Sequence, residues 1–145
     1  MADAVVTAEH LAARLRRSFD WLSPHLPLDA EALARLDAAQ PEFLDAFLLR
    51  FENLTNHLQE SVFRGIVVEV EERDPTRMSR RDVVELMDRL RYVPSADAFR
   101  EAGKVRNIPS HVYPDEPAVS AAILHRAAAS VPILLDTVAM LPRGT

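Results

Sequence analysis

The chain has 145 residues, of which 48% are hydrophobic and 27% charged, values typical of one globular domain with its own core. It contains no cysteine, which excludes a disulfide framework and a thiolate zinc site. The formal net charge is −5, so the protein as a whole does not attract nucleic acid and any phosphate binding has to be local.

Neither end of the sequence resembles a membrane segment. The N-terminal stretch MADAVVTAEH carries an acidic residue and lacks the long apolar centre of a secretory signal. The apolar stretch VPILLDTVAML near the other end is short and contains Asp136, so we expect it not to cross a bilayer. These features predict a cytoplasmic protein with no membrane partner.

Apolar residues at three- and four-residue spacing predict helices in the first half of the chain. The first helix is expected to end at Ser23–Pro24, and the second to begin after Asp29 as its N-cap and to break at Gln40–Pro41. A long third helix should then run to about Glu72. Its aromatic side chains at four-residue spacing are expected in the core: Phe43, Phe47 and Phe51.

The second half of the chain shows the same helical spacing. A turn is expected at Asp74–Pro75, followed by helices capped by Ser79 and Ser95. A last helix has Pro117 in its first turn and Pro132 inside it, where a kink is expected. The fold predicted from these elements is all-α: a single domain over residues 1–145, built as an up-and-down bundle of four long helices plus one or two shorter ones.

The stretch KVRNIPSHVYPDEP, residues 104–117, concentrates polar side chains around a helix-breaking proline. Arg106 and His111 are five positions apart, a spacing that a regular helix would separate by about 140° around its axis. Pro109 lacks an N–H group and crowds the preceding turn, so the helix should kink or end between them. His111 could then turn back towards Arg106.

An arginine beside a histidine suits cleavage of a phosphodiester. Histidine can accept or donate a proton near neutral pH. Arginine can hold a phosphate through two N–H groups and stabilise the charge that develops on it. Asn107 could orient either partner, and the 2′-hydroxyl of RNA is a built-in nucleophile. Such a site would need no metal and no cofactor.

The spacing alone is a weak signal. The alternative is an ordinary helix end, with Arg106 paired to a carboxylate and His111 capping a carbonyl. Arg100 and Lys104, six and two residues before Arg106, could extend a phosphate-binding strip, although Glu101 between them could neutralise it.

The segment RNIPSHVY resembles the R-x4-H-x-Y signature of HEPN-domain proteins, and within them the HepT-like branch. Two further segments are similar to that branch and stand in the same order: DAFLLRFENLTNHLQESVF (45–63), like its long second helix, and VPSADAFREAGKVRN (93–107), which leads into the motif. The resemblance covers about residues 29 to 123.

This resemblance implies a homodimeric helical bundle that acts as a metal-independent endoribonuclease on tRNA or mRNA. It implies that Arg106 and His111 are the active residues, with Asn107 as the accompanying polar residue. HepT-like proteins are toxins of type VII-like systems, encoded beside a minimal nucleotidyltransferase (MNT) antitoxin that can transfer AMP to the motif tyrosine. The matching acceptor in this chain is Tyr113.

The chain departs from the family pattern at Ile108-Pro109-Ser110, where the family usually has residues compatible with a helix. Pro109 could displace His111 and weaken cleavage, or it could form the turn that brings the two residues together. Two other readings of the whole chain are open: a non-catalytic subunit that presents a substrate residue to a nucleotidyltransferase, and a helical scaffold with no site.

Overall fold

The computed structural model describes residues 1–108 and 116–143, and in these two ranges all regular secondary structure is helical, with no strand. The prediction of an all-α fold is confirmed. In chain order the elements are α1 (Ala2–Leu22), a 3₁₀ turn (Ser23–His25), α2 (Ala30–Ala39), α3 (Pro41–His57), a π-helical segment (Leu58–Val62), α4 (Phe63–Glu69), a second 3₁₀ turn (Pro75–Arg77), α5 (Arg80–Arg89), α6 (Ala96–Arg106) and α7 (Pro117–Met140).

The helix boundaries follow the capping residues that the sequence indicates. A side-chain oxygen at each predicted N-cap accepts a hydrogen bond from the backbone N–H three residues later, which satisfies a donor that the helix itself leaves unpaired. The pairs are Asp29 with Ala32, Ser79 with Asp82, and Ser95 with Ala98. Pro41 and Pro117 occupy the first turns of α3 and α7, as predicted.

The long helix differs from its prediction in two respects. It runs continuously from Pro41 to Glu69 rather than to about Glu72, and its hydrogen-bonding pattern widens to the π form at Leu58–Val62. Such single π turns inside α-helices are rare and are frequently found at functional sites. Because a π turn inserts an extra residue, it also rotates the side chains that follow it relative to a regular helix.

Four segments form the centre of the bundle. α1 and α7 contact each other, and both contact α3; α6 packs against α7 and α3. The shorter α2 and α5 lie at the periphery, α2 against α3 and α7, and α5 against α4 and α6. Four long helices were predicted. Three of the described helices are long, namely α1, the continuous helix from α3 to α4, and α7, whereas α6 has only 11 residues. The buried apolar side chains, from Val5 to Leu141, form one cluster.

The aromatic prediction is right for two of its three residues. Phe47 and Phe51 are each 1% exposed, but Phe43 is 41% exposed. Phe43 lies in the first turns of α3, where its ring stacks on Trp21 of α1 at a centroid distance of 4.0 Å. The four-residue spacing continues past the edge of the core, so spacing alone overestimated the extent of the buried face.

By length and composition, α7 could cross a membrane, in contrast to the expectation from the stretch at residues 131–141 taken alone. A buried helix of a soluble protein meets the same criterion, and 44% of the most apolar window of α7 is buried in this bundle. Three polar side chains on its packed face are buried as well: Ser120, Ser130 and Thr137.

Candidate functional site

Arg106 is the last residue of α6 and lies half-buried against the middle of the long helix. Its Nη1 donates hydrogen bonds to Asn56 Oδ1 at 2.7 Å and to Gln59 Oε1 at 2.6 Å. Its Nε lies 3.2 Å from Asn107 Oδ1, which accepts a third hydrogen bond. The guanidinium is therefore held by three neutral side-chain amides, a group called the amide clamp below.

The backbone brings the two helices close enough for this clamp. Asn56 and Gln59 are three residues apart and so lie on the same side of the long helix, with Gln59 inside the π segment. Gly103 of α6 faces Gln59, and a Cβ at that position would lie 3.3 Å from Gln59 Nε2. The missing side chain at Gly103 thus leaves room for the glutamine that holds Arg106.

The hydrogen-bond partners of Arg106 in the described part of the chain are uncharged. Among residues 1–108 and 116–143, no carboxylate forms an ion pair with it. Burial lowers the pKa of Arg106 from its ordinary value, and the nearby charge of Arg80 acts in the same direction, while Glu60 and Glu52 oppose both. The group stays protonated, since arginine does not lose its proton in proteins. The carboxylate pairing expected for an ordinary helix end is not found among the described residues.

Only some of the other predicted site residues belong to the described part of the chain. Asn107 follows α6 as its C-cap and is exposed. Pro109, His111 and Tyr113 lie outside the described residues, so the approach of His111 to Arg106 stays a prediction. The part of the site that the structure describes is the arginine and its clamp.

Arg100 and Lys104 do not share the face of α6 that carries Arg106. Lys104 is about 160° and Arg100 about 120° from Arg106 around a regular helix. Arg100 forms ion pairs with Asp97 and, at 3.6 Å, with Glu85 of α5. Their contact with RNA phosphate stays a prediction, and the geometry separates them from the amide clamp.

Glu101 has Arg126 as its direct partner and also interacts with the charge of Lys104, so it partly offsets this strip. It accepts a hydrogen bond from Arg126 of α7 at 2.7 Å, which lowers the pKa of the Glu101 carboxyl below its usual range. This ion pair between Glu101 and Arg126 connects α6 to α7.

A second group of basic residues lies beside the clamp and was not predicted. Glu60, in the π segment, forms ion pairs with Arg80 at 2.9 Å and with Arg64 at 3.4 Å. A surface pocket is lined by these two arginines, by Gln59 of the clamp and by three apolar side chains: Phe63, Val83 and Val84. Sequence spacing could not reveal this group, because Arg80 is far from Glu60 along the chain and the π segment has no recognised sequence signal.

The clamp residues Asn56 and Gln59 were also missed. They belong to the segment that carried the family resemblance, but in a regular helix they read as ordinary polar positions beside the buried stripe. Within the described ranges, no group of three or more histidine, aspartate or glutamate side chains could hold a metal ion.

Comparison with protein-family models, with curated proteins and with solved structures found no match to this chain.

Proposed function

We propose that the protein is a HepT-like HEPN toxin: a homodimeric, metal-independent endoribonuclease with Arg106 as its phosphate-binding residue and His111 as its general base. The observation that carries the proposal is the amide clamp. Asn56 and Gln59 fix the Arg106 guanidinium at hydrogen-bond distance while leaving its charge without a carboxylate partner among the described residues. An arginine held this way can use its remaining N–H groups for a phosphate.

The proposed reaction uses the substrate's own nucleophile. His111 takes the proton of the RNA 2′-hydroxyl, and the 2′-oxygen attacks the adjacent phosphorus. The P–O5′ bond breaks as the 5′-oxygen takes up a proton and leaves, so the products are a 2′,3′-cyclic phosphate and a 5′-hydroxyl. Arg106 stabilises the extra negative charge on the phosphorane, and its orientation in advance by neutral amides reduces the reorganisation needed in the transition state.

Cleavage of total RNA in the presence of EDTA tests this function. Wild-type protein should cleave RNA and leave 2′,3′-cyclic phosphate ends. His111→Ala should reduce the rate by about 10²–10⁴-fold and Arg106→Gln by about 10²–10³-fold. Arg35→Gln is the matched control, since Arg35 pairs with Glu31 on the surface of α2, away from the clamp. Equal cleavage by wild type and His111→Ala would remove His111 from the mechanism.

The proposed regulation is transfer of AMP to Tyr113 by an MNT-type nucleotidyltransferase partner. AMP would place a bulky, negatively charged group two residues from His111, where it would oppose an RNA phosphate. Co-expression with a partner of this class should raise the intact mass by AMP units, and Tyr113→Phe should abolish that increase.

The runner-up, a non-catalytic subunit that presents Tyr113, predicts the same mass increase but no cleavage by the unmodified protein. It gives the amide clamp around Arg106 no role. The cleavage assay with Arg106→Gln therefore separates the two.

A further inference from the structure

The group formed by Arg64, Glu60 and Arg80 has more positive than negative charge. One carboxylate is shared by two guanidinium groups, at 3.4 Å and 2.9 Å, so one positive charge is left over. Both arginines are partly accessible, with side-chain exposures of 31% for Arg64 and 58% for Arg80. Each can therefore turn N–H groups towards a ligand without unfolding the helix that carries it.

These arginines flank a shallow depression in the surface. The pocket between α4 and the first turns of α5 has Arg64 and Arg80 on its rim and the buried side chains of Phe63, Val83 and Val84 behind them. The free space between these side chains is only about 10 Å³, room for about one water, so a phosphate would rest on the exposed guanidinium groups rather than inside the depression.

The pocket is continuous with the amide clamp. Gln59 contributes to the lining of the pocket and also accepts the 2.6 Å hydrogen bond from Arg106. Glu60, the next residue, holds Arg80 and Arg64. The π segment thus positions both basic groups side by side, and the electrostatic influence of Arg80 on Arg106 agrees with their proximity.

We propose that Arg64 and Arg80 form a second phosphate subsite next to Arg106, which holds a neighbouring backbone phosphate of a single-stranded RNA. This inference rests on the proposed function and deepens it: the substrate is a polynucleotide bound through consecutive phosphates. Since the overall charge of the protein is −5, this local cluster supplies the electrostatic attraction that the whole molecule lacks.

Counterion release gives a direct measurement of such a contact. Each phosphate neutralised on a single strand contributes about −0.7 to the slope of log K against log salt concentration. The probe is a fluorescent 2′-O-methyl hexaribonucleotide, which has the phosphates of RNA but lacks the nucleophile and so is not cleaved. Arg80→Gln and Arg64→Gln should each weaken binding at low salt, and the double variant should reduce the slope by about 0.7 or more.

The controls separate a phosphate contact from a structural effect. Arg80→Lys keeps the charge and should retain the wild-type slope, and Arg35→Gln should leave slope and affinity unchanged. Thermal unfolding of each variant verifies that the bundle is intact.

Three outcomes would overturn the subsite. One is an unchanged slope in the folded double variant while Arg106→Gln reduces it. Another is an equal loss of affinity for AMP and for the hexamer in Arg80→Gln, which would indicate a mononucleotide site. The third is no binding of the hexamer by wild type at low salt. Cleavage of unmodified RNA by the same protein is assayed separately, so the proposed function can stand if the subsite fails.

Discussion

At the scale of single residues, Arg91 has a backbone conformation that is unfavourable for a residue with a Cβ atom. It has a φ of 65°, the left-handed region that glycine adopts most easily. The N–H of Arg91 donates to Asp88 O at 3.0 Å and that of Tyr92 to Met87 O at 2.9 Å, the two hydrogen bonds of a Schellman motif at the end of α5. The turn keeps its geometry although the residue at its left-handed position has a Cβ.

Arg91→Gly should therefore stabilise the protein by about 1 kcal/mol, because glycine avoids the steric penalty of the left-handed conformation. Chemical denaturation measures the change in the free energy of unfolding. The matched control is Arg89→Gly in the last turn of the same helix, which should destabilise by about 0.5–1 kcal/mol. A loss of stability in Arg91→Gly would mean that the arginine side chain makes a contribution larger than the strain.

At the scale of elements, the distance between α6 and the π segment determines the position of Arg106. Gly103 lets the two come together, since a Cβ there would lie 3.3 Å from Gln59 Nε2, closer than an ordinary contact. A glycine inside a helix costs stability relative to alanine. Its presence here is explained by the clamp rather than by the helix, so stability and function should respond in opposite directions when it is replaced.

Gly103→Ala tests this separation. The added methyl group should favour helix α6 by up to about 1 kcal/mol. It should also displace the amide of Gln59, which holds Arg106, from its present position. We expect an unchanged or higher melting temperature together with RNA cleavage reduced about 10-fold, the effect of about 1.4 kcal/mol on a rate. Ala102→Gly, on a buried face of the same helix, should lower stability instead. Full cleavage activity in folded Gly103→Ala would show that the clamp tolerates a displaced glutamine.

At the scale of the whole molecule, α7 is the most apolar of the described helices, and it packs against several other helices. It contacts α1, α2, α3 and α6, and its Arg126 is paired with Glu101. Leu124, Val131 and Leu134 are each 1% exposed or less. An apolar helix with such partners stabilises the bundle by removing this surface from water.

Leu134→Ala should accordingly destabilise the protein by about 2–5 kcal/mol in aqueous buffer, because it leaves a cavity among well-packed side chains. Leu49→Ala serves as the control: Leu49 is 51% exposed, and the change there should stay within about 0.5 kcal/mol. Equal effects of the two substitutions in denaturant titrations would argue against α7 as a core helix of the bundle.

The sequence by itself determined the helices and most of their boundaries. Apolar spacing identified the buried faces, and Asp29, Ser79 and Ser95 marked helix starts because their side chains satisfy backbone N–H groups within one turn. It also predicted a phosphate site at Arg106 and His111. These features depend on residues close together along the chain.

Only the tertiary structure decided what surrounds Arg106. Its partners Asn56 and Gln59 are 50 and 47 positions away, and Arg80 reaches Glu60 through the packing of α5 against α4. The π segment that positions Gln59 and Glu60 depends on how the long helix packs, which local spacing does not encode. Helix formation is governed by neighbours in sequence, whereas a charge is paired or left unpaired by neighbours in space.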